Sequence, residues 1–293
     1  MLKKLITNIA FHKIVKRPDI SKAYKMVGPK DSWCDTITTV HRSLEQIRML
    51  PHENWEVTSH DGFSLKAVYY PGSSDKTMIW VHGYTSHAER ESAFPGLFYH
   101  NLGFNVLVPY LRAHGPSQGK YISLGPLEAM DMEKWVCLVN QRHPDGKILL
   151  HGLSMGGGIV LDLATRELEN VSCIISDAPS TNILGYAPEG KEDILCYMRQ
   201  RYQKVFSVNS QDYDRIHNIA NGRYPLLLSA GSNEKMDEIL QAIKERNPMP
   251  TSVIILPGCN HGNGMYKQTK LYQDSIVLFL REHMDPGLTT TGE

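Results

Sequence analysis

Apolar positions along the chain fall into two alternating patterns. From Asn54 onward, short apolar runs are separated by longer segments with helical spacing. Trp55 to Ser59 and Phe63 to Tyr70 flank Asp61-Gly62, a dipeptide suited to a tight turn, and predict an antiparallel pair. Further runs bounded by Gly, Pro or Asp follow at Met78 to His82, Asn105 to Pro109, Ile148 to His151, Cys173 to Ser176, Leu226 to Ser229 and Val253 to Leu256. Most of them lack the alternation of a half-exposed strand. Continuous apolar strands are what a parallel sheet produces when helices cover both of its faces.

Helical spacing occupies the intervals: Ala88 to Asn101, Pro126 to Arg142, Met155 to Leu168, Met236 to Arg246 and Tyr266 to Met284. Strand and helix in repeated alternation predict a doubly wound, mostly parallel α/β sheet. The interval from Pro179 to Arg223 is longer than one crossover needs. Within it Ile194, Leu195, Met198, Tyr202, Val205 and Phe206 keep helical spacing, so a short helical cap, about 180–223, is expected after the sixth strand.

Residues 1–50 precede this pattern as a helical extension, with a second helix expected around Thr36 to Leu50. Leu2, Leu5, Ile6, Ile9 and Ala10 form an apolar stripe beside Lys3, Lys4, Lys13, Lys16 and Arg17, with no acid before Asp19. This is a basic amphipathic helix, expected to pack on the body through that stripe, with weak membrane-surface contact through residues 1–17 as the alternative. Asn8 and His12 break what would be the apolar stretch of a secretory signal. The α/β body is expected over 51–285, and 286–293 to form a flexible tail.

Composition narrows the function. Thirty-one Lys and Arg balance thirty-one Asp and Glu over 293 residues, leaving no single-sign field to attract nucleic acid. No stretch approaches the roughly 18 apolar residues of a spanning helix. Five scattered cysteines without a CxxC pair suit a reducing, cytoplasmic setting, and no HExxH accompanies the thirteen histidines. No metal or organic cofactor is expected.

The most informative stretch is Leu149-Leu150-His151-Gly152-Leu153-Ser154-Met155-Gly156-Gly157-Gly158: an apolar strand entering a glycine-flanked serine and then a helix. This is G-x-S-x-G in its expected context. Small residues two before and two after Ser154 let neighbouring chains pass closely while the hydroxyl is presented on a strained turn. The helix beginning at Met155 brings its positive end to where an oxyanion would form.

With His82-Gly83-Tyr84 after an apolar strand and Arg112-Ala113-His114-Gly115-Pro116-Ser117 beyond it, the chain resembles the α/β-hydrolase superfamily. The likeness runs over about Trp55 to Met284 and is nearest to bacterial esterases, lysophospholipase-like and prolyl-oligopeptidase-like hydrolases. It implies Ser154 as nucleophile and, from the order serine, acid, histidine, His261 in Pro257-Gly258-Cys259-Asn260-His261-Gly262 as base. Where the family carries G-x-x-D, Gly231-Ser232-Asn233-Glu234 places Glu234 as the acid. The hydrophobic-proline pair that commonly follows is replaced by Asp237-Glu238, so Asp237 and Asp177 stay open as alternative acids. The oxyanion hole is expected from the backbone N–H groups of Tyr84 and Met155. His82, Arg112 and His114 are expected to tie loops together, His151 to be structural, and Cys259 to be a quiet buried thiol.

The resemblance thus implies a serine hydrolase acting on a small-molecule carboxylic ester with a small to medium apolar acyl group, through an acyl-enzyme. Amide, peptide or thioester cleavage and acyl transfer fit the same residues. A non-catalytic hydrolase-like binding protein is the alternative of another class.

Overall fold

The computed structural model describes residues 2–19, 33–185 and 191–288. An eight-stranded sheet in the order β1-β2-β4-β3-β5-β6-β7-β8 runs through the molecule. β1 (Glu53–Thr58) and β2 (Ser64–Tyr70) form the expected antiparallel pair around Gly62, whose φ of +86° is the left-handed conformation such a turn requires. β2 also runs antiparallel to β4 (Asn105–Pro109). From β4 onward, β3 (Thr77–Val81), β5 (Ile148–Leu153), β6 (Val171–Asp177), β7 (Leu226–Gly231) and β8 (Thr251–Leu256) pair in parallel.

Alternation along the strands sorts side chains into two cores, one on each face of the sheet. Ile79, Val81, Leu107, Leu150, Ile174 and Leu228 join α4 (Pro126–Arg142), α5 (Met155–Leu163) and α8 (Asp237–Arg246). Met78, Trp80, Val108, Leu149, Cys173 and Leu227 join α2 (Ile37–Arg48), α3 (Ala88–Asn101) and α10 (Thr269–His283). This two-sided burial is why the strands read as unbroken apolar runs. All five cysteines are free thiols.

The long interval after β6 holds α6 (Glu192–Phe206) and the short α7 (Arg215–Asn218), as the expected cap requires. Residues 186–190 of that cap, 20–32 of the extension and 289–293 of the tail lie outside the described residues. Of the expected tail, Leu288 is buried, and its carbonyl accepts from Arg281 Nε at 2.7 Å. The tail therefore begins docked.

The N-terminal helix α1 (Leu2–Val15) corrects one expectation. The face that packs on the body is Thr7, Phe11 and Val15, at i, i+4 and i+8, with Phe11 and Val15 in a third core beside Ile183, Tyr202 and Phe206 of the cap. Ile6 and Ile9, members of the expected packing stripe, are 57% and 60% exposed. The stripe counted apolar residues near the start of the helix. Phe11 and Val15, further along the helix, are the side chains that meet the cap.

Candidate active site

Ser154 stands between β5 and α5 with φ +60° and ψ −113°, a conformation that costs about 1–3 kcal/mol for a non-glycine residue and is sustained by the packing around it. The close approaches expected of the flanking glycines are present. A Cβ on Gly152 would lie 2.2 Å from the Gly156 carbonyl oxygen, and one on Gly156 would lie 1.8 Å from that of Val81. The turn is pinned on both sides of the serine: Ser154 N–H donates to Asp177 O at 2.8 Å and Ser180 N–H donates to Ser154 O at 3.0 Å.

The structure brings Ser154, His261 and Glu234 together. His261, in the loop between β8 and the short helix α9 (Gly264–Lys267), places Nε2 2.8 Å from Ser154 Oγ and Nδ1 2.5 Å from Glu234 Oε2. The longer arm of glutamate is accommodated by its own turn: Glu234 Oε1 accepts the Gly231 N–H at 2.8 Å, which fixes the carboxylate at the end of β7. Hydrogen bonding to Glu234 holds the His261 imidazole above its ordinary pKa, against the opposing effect of desolvation.

The alternative acids do not join them. Asp237 is exposed in the first turn of α8. The Asp177 carboxylate is buried and engaged elsewhere: it pairs with His151 Nε2 at 3.0 Å and accepts from Ser229 Oγ and from the Tyr272 hydroxyl. Tyr99 meets the other nitrogen of His151 at 2.9 Å. Burial and the Asp177 charge push the phenols of Tyr99 and Tyr272 well above their usual range. This network lies beneath the serine turn and holds it through the Asp177 backbone.

Met155 heads α5, so its N–H is among the first-turn amides that have no intrahelical acceptor. Gly83, directly before Tyr84, abuts the serine: a Cβ built on it would lie 3.5 Å from Ser154 Cβ. Both amides expected at the oxyanion hole thus belong to turns that border Ser154. The Tyr84 ring is 39% exposed and its hydroxyl donates to the Ile14 carbonyl of α1 at 2.6 Å.

His82, Arg112 and His114 bind loops to one another. His82 Nε2 accepts the Leu111 N–H at 3.2 Å, while Nδ1 meets Gly83 O at 2.8 Å. Burial, reinforced by neighbouring His114, depresses the pKa of His82. Arg112 grips Asp131 through Nε at 2.6 Å and reaches Asp61 through Nη1 at 3.0 Å. His60, Asp61 and Asp131 form the one group with metal-ligand spacing among the described residues, and Arg112 occupies both of its carboxylates. Cys259 is buried, which raises its thiol pKa.

Sequence reasoning missed Glu91. Its carboxylate accepts the Gly83 N–H at 3.0 and 3.2 Å and Trp80 Nε1 at 3.1 Å, directly behind the Tyr84 turn. The available signal was an acidic pair, Glu89 and Glu91, in the first turn of α3, which reads as ordinary helix-start chemistry.

Known proteins agree with this architecture. The chain is 33% identical over 142 residues to the uncharacterized protein YqkD of Bacillus subtilis (strain 168), a stretch covering 47% of this chain and 46% of that protein. It is 32% identical over 125 residues to a multifunctional-autoprocessing repeats-in-toxin of Vibrio vulnificus, covering 41% of this chain and 2% of the toxin. The chain thus spans about half the length of the first relative and a small fraction of the second. In three dimensions it resembles the Pyrococcus furiosus esterase Pf2001, with a TM-score of 0.64 at 24% identity over 83% of this chain and 94% of that one. A predicted CIB-like hydrolase from Thermoplasma acidophilum gives 0.56 at 18% identity, covering 80% of this chain and 99% of that one. The sequence model of the family described as serine aminopeptidase, S33, matches residues 72–238, more than half of the chain and the part that carries Ser154 and Glu234, so this protein belongs to that family and is an α/β-hydrolase.

Proposed function

We propose that this hydrolase cleaves carboxylic esters of small to medium apolar acyl groups through an acyl-enzyme, with Ser154, His261 and Glu234 as its triad. The observation that carries the reading is the relay of distances, 2.8 Å from Ser154 Oγ to His261 Nε2 and 2.5 Å from His261 Nδ1 to Glu234 Oε2. His261 accepts the serine proton as Oγ attacks the carbonyl carbon, and Glu234 stabilises the imidazolium that results. The N–H groups of Met155 and Tyr84 receive the negative oxygen. His261 returns the proton to the leaving alcohol, then activates the water that releases the acid.

An apolar acyl wall is supported beside His261. A Cβ on Gly262 would lie 3.4 Å from both Trp33 and Leu153, and Trp33 and Phe94 pack against Tyr266 at ring separations of 5.6 and 4.9 Å. The cap residues Tyr202 and Phe206, by contrast, are consumed in packing against α1. The test is turnover of p-nitrophenyl esters of graded chain length beside the matching p-nitroanilides and thioesters. Preference for esters, abolished in Ser154→Ala, is the expected result. Full turnover by Ser154→Ala would refute the triad, absence of turnover in the wild-type chain would favour a hydrolase-like binding protein, and faster anilide cleavage would move the substrate toward the aminopeptidases for which the family is named.

A second reading places the ester in a lipid surface. Ile6 and Ile9 are exposed on α1 together with Lys4 and Lys13, an apolar and cationic combination complementary to an anionic bilayer. The same helix touches the Tyr84 turn through Ile14. Co-sedimentation with vesicles containing phosphatidylserine is expected for the full chain and lost in Ile6→Glu/Ile9→Glu. Equal sedimentation of the two proteins would remove the reading.

A further inference from the structure

The turn that carries Tyr84 leaves β3 with one charged group behind it. Glu91 extends from the first turn of α3 and receives the Gly83 N–H on both oxygens and Trp80 Nε1 on one, and the Ser86 hydroxyl also bonds to it. A Cβ on Gly83 would sit 3.3 Å from Glu91 Oε2 and 3.5 Å from Ser154 Cβ, so the carboxylate and the serine flank the same glycine. A peptide unit gripped at its N–H has little freedom to turn, and the next N–H along the chain is that of Tyr84.

We propose that Glu91 is a positioning residue of this site, fixing the Tyr84 turn through Gly83 and adding a second carboxylate to the site beside Glu234. The proposal rests on the triad reading above and adds a fourth group to it. Two carboxylates act on the imidazole: Glu234 at the end of β7, in direct contact, and Glu91 of α3, through its charge alone. Arg90 opposes the Glu91 charge, and the phenol of Tyr266 in α9 is pushed up by burial first and by Glu91 second. Burial also raises Glu91 itself, while its hydrogen bonds act to keep it ionised. In the ionised form it favours a positive His261, the state the reaction creates when Ser154 attacks.

Position and charge can be separated by substitution. Glu91→Gln keeps an acceptor oxygen for Gly83 and Trp80 and removes the charge, whereas Glu91→Asp keeps the charge and shortens the arm. The measurement is kcat/KM for a soluble aryl ester against pH, with thermal unfolding to verify folding. Removing a negative charge makes the protonated imidazole less favourable. The acid limb of the Glu91→Gln profile is therefore expected to move to lower pH by about half a unit. Glu91→Asp is expected to keep the wild-type midpoint and to lose kcat by about tenfold at similar KM, because the turn is no longer held. An acid limb at the wild-type midpoint in Glu91→Gln would overturn the proposal, as would an equal shift in both variants. Ser154→Ala, run in parallel, isolates the triad reading: its loss of turnover beside an unmoved limb in Glu91→Gln would discard Glu91 alone.

Discussion

A carboxylate 2.5 Å from His261 Nδ1 favours the protonated form of the imidazole. His261 acts as a base only when neutral, and Glu234 raises the pH at which it loses its proton. Activity is therefore expected to rise through a midpoint above the usual histidine value. Glu234→Gln should lower that midpoint and also cut kcat by about 10³ to 10⁴-fold, since the imidazolium loses its counter-charge and the ring its fixed tautomer. A pH–rate profile in which the variant keeps the wild-type midpoint and rate would refute the assignment. Ser154 was legible because a strained serine turn dictates its neighbours, and His261 because it lies just past the last apolar run. Glu234 followed from its position in a turn. Glu91 was not legible: its role depends on a helix folding back beneath the turn eight residues earlier, and one glutamate at a helix start carries no such signal.

Among the elements, the cap is fastened to the serine helix by a buried ion pair that periodicity does not reveal. Arg215 of α7 donates Nε and Nη2 to Asp162 of α5 at 2.9 and 2.7 Å and Nη1 to Ser180 O at 3.0 Å, and both charged side chains are at least 95% buried. Cutting one partner leaves the other charge enclosed and uncompensated. Asp162→Asn is expected to destabilise the protein by about 3–5 kcal/mol, whereas replacing both residues by apolar ones of similar volume costs far less. Urea unfolding of the single and double variants tests this, and equal losses in the two would contradict it. The same scale explains the misread face of α1. Spacing identified an amphipathic helix, but the partner surface decided which face was covered. Phe11→Ala should cost about 3–5 kcal/mol and Ile9→Ala no more than about 0.5 kcal/mol, the opposite of what the apolar stripe alone implies.

At the scale of the whole molecule, the two cores that line the sheet are separate from the third, which joins α1 to the cap. The alternating runs disclosed the sheet because strands buried on both faces must be apolar throughout. The third core was hidden because its halves lie far apart in sequence, with Phe11 and Val15 at one end and Ile183, Tyr202 and Phe206 at the other. Backbone bonds tie α1 to the body as well. Ile122 N–H donates to Val15 O at 2.7 Å, Arg17 N–H donates to Lys120 O at 2.9 Å, and Arg17 Nη1 donates to Ser117 O at 2.8 Å. A small core attached to a large one opens at lower free energy than the sheet, and its members open together. Amide hydrogen exchange should therefore show α1 and α6 losing protection as one unit while β3 and β5 remain closed. Phe11→Ala should speed exchange in α6, more than 180 residues away in sequence, to the same degree as in α1 and leave β5 unchanged. Unaltered exchange in α6 would mean that the cap is held without the N-terminal helix, and that α1 is an attachment to the hydrolase body and no part of its cap.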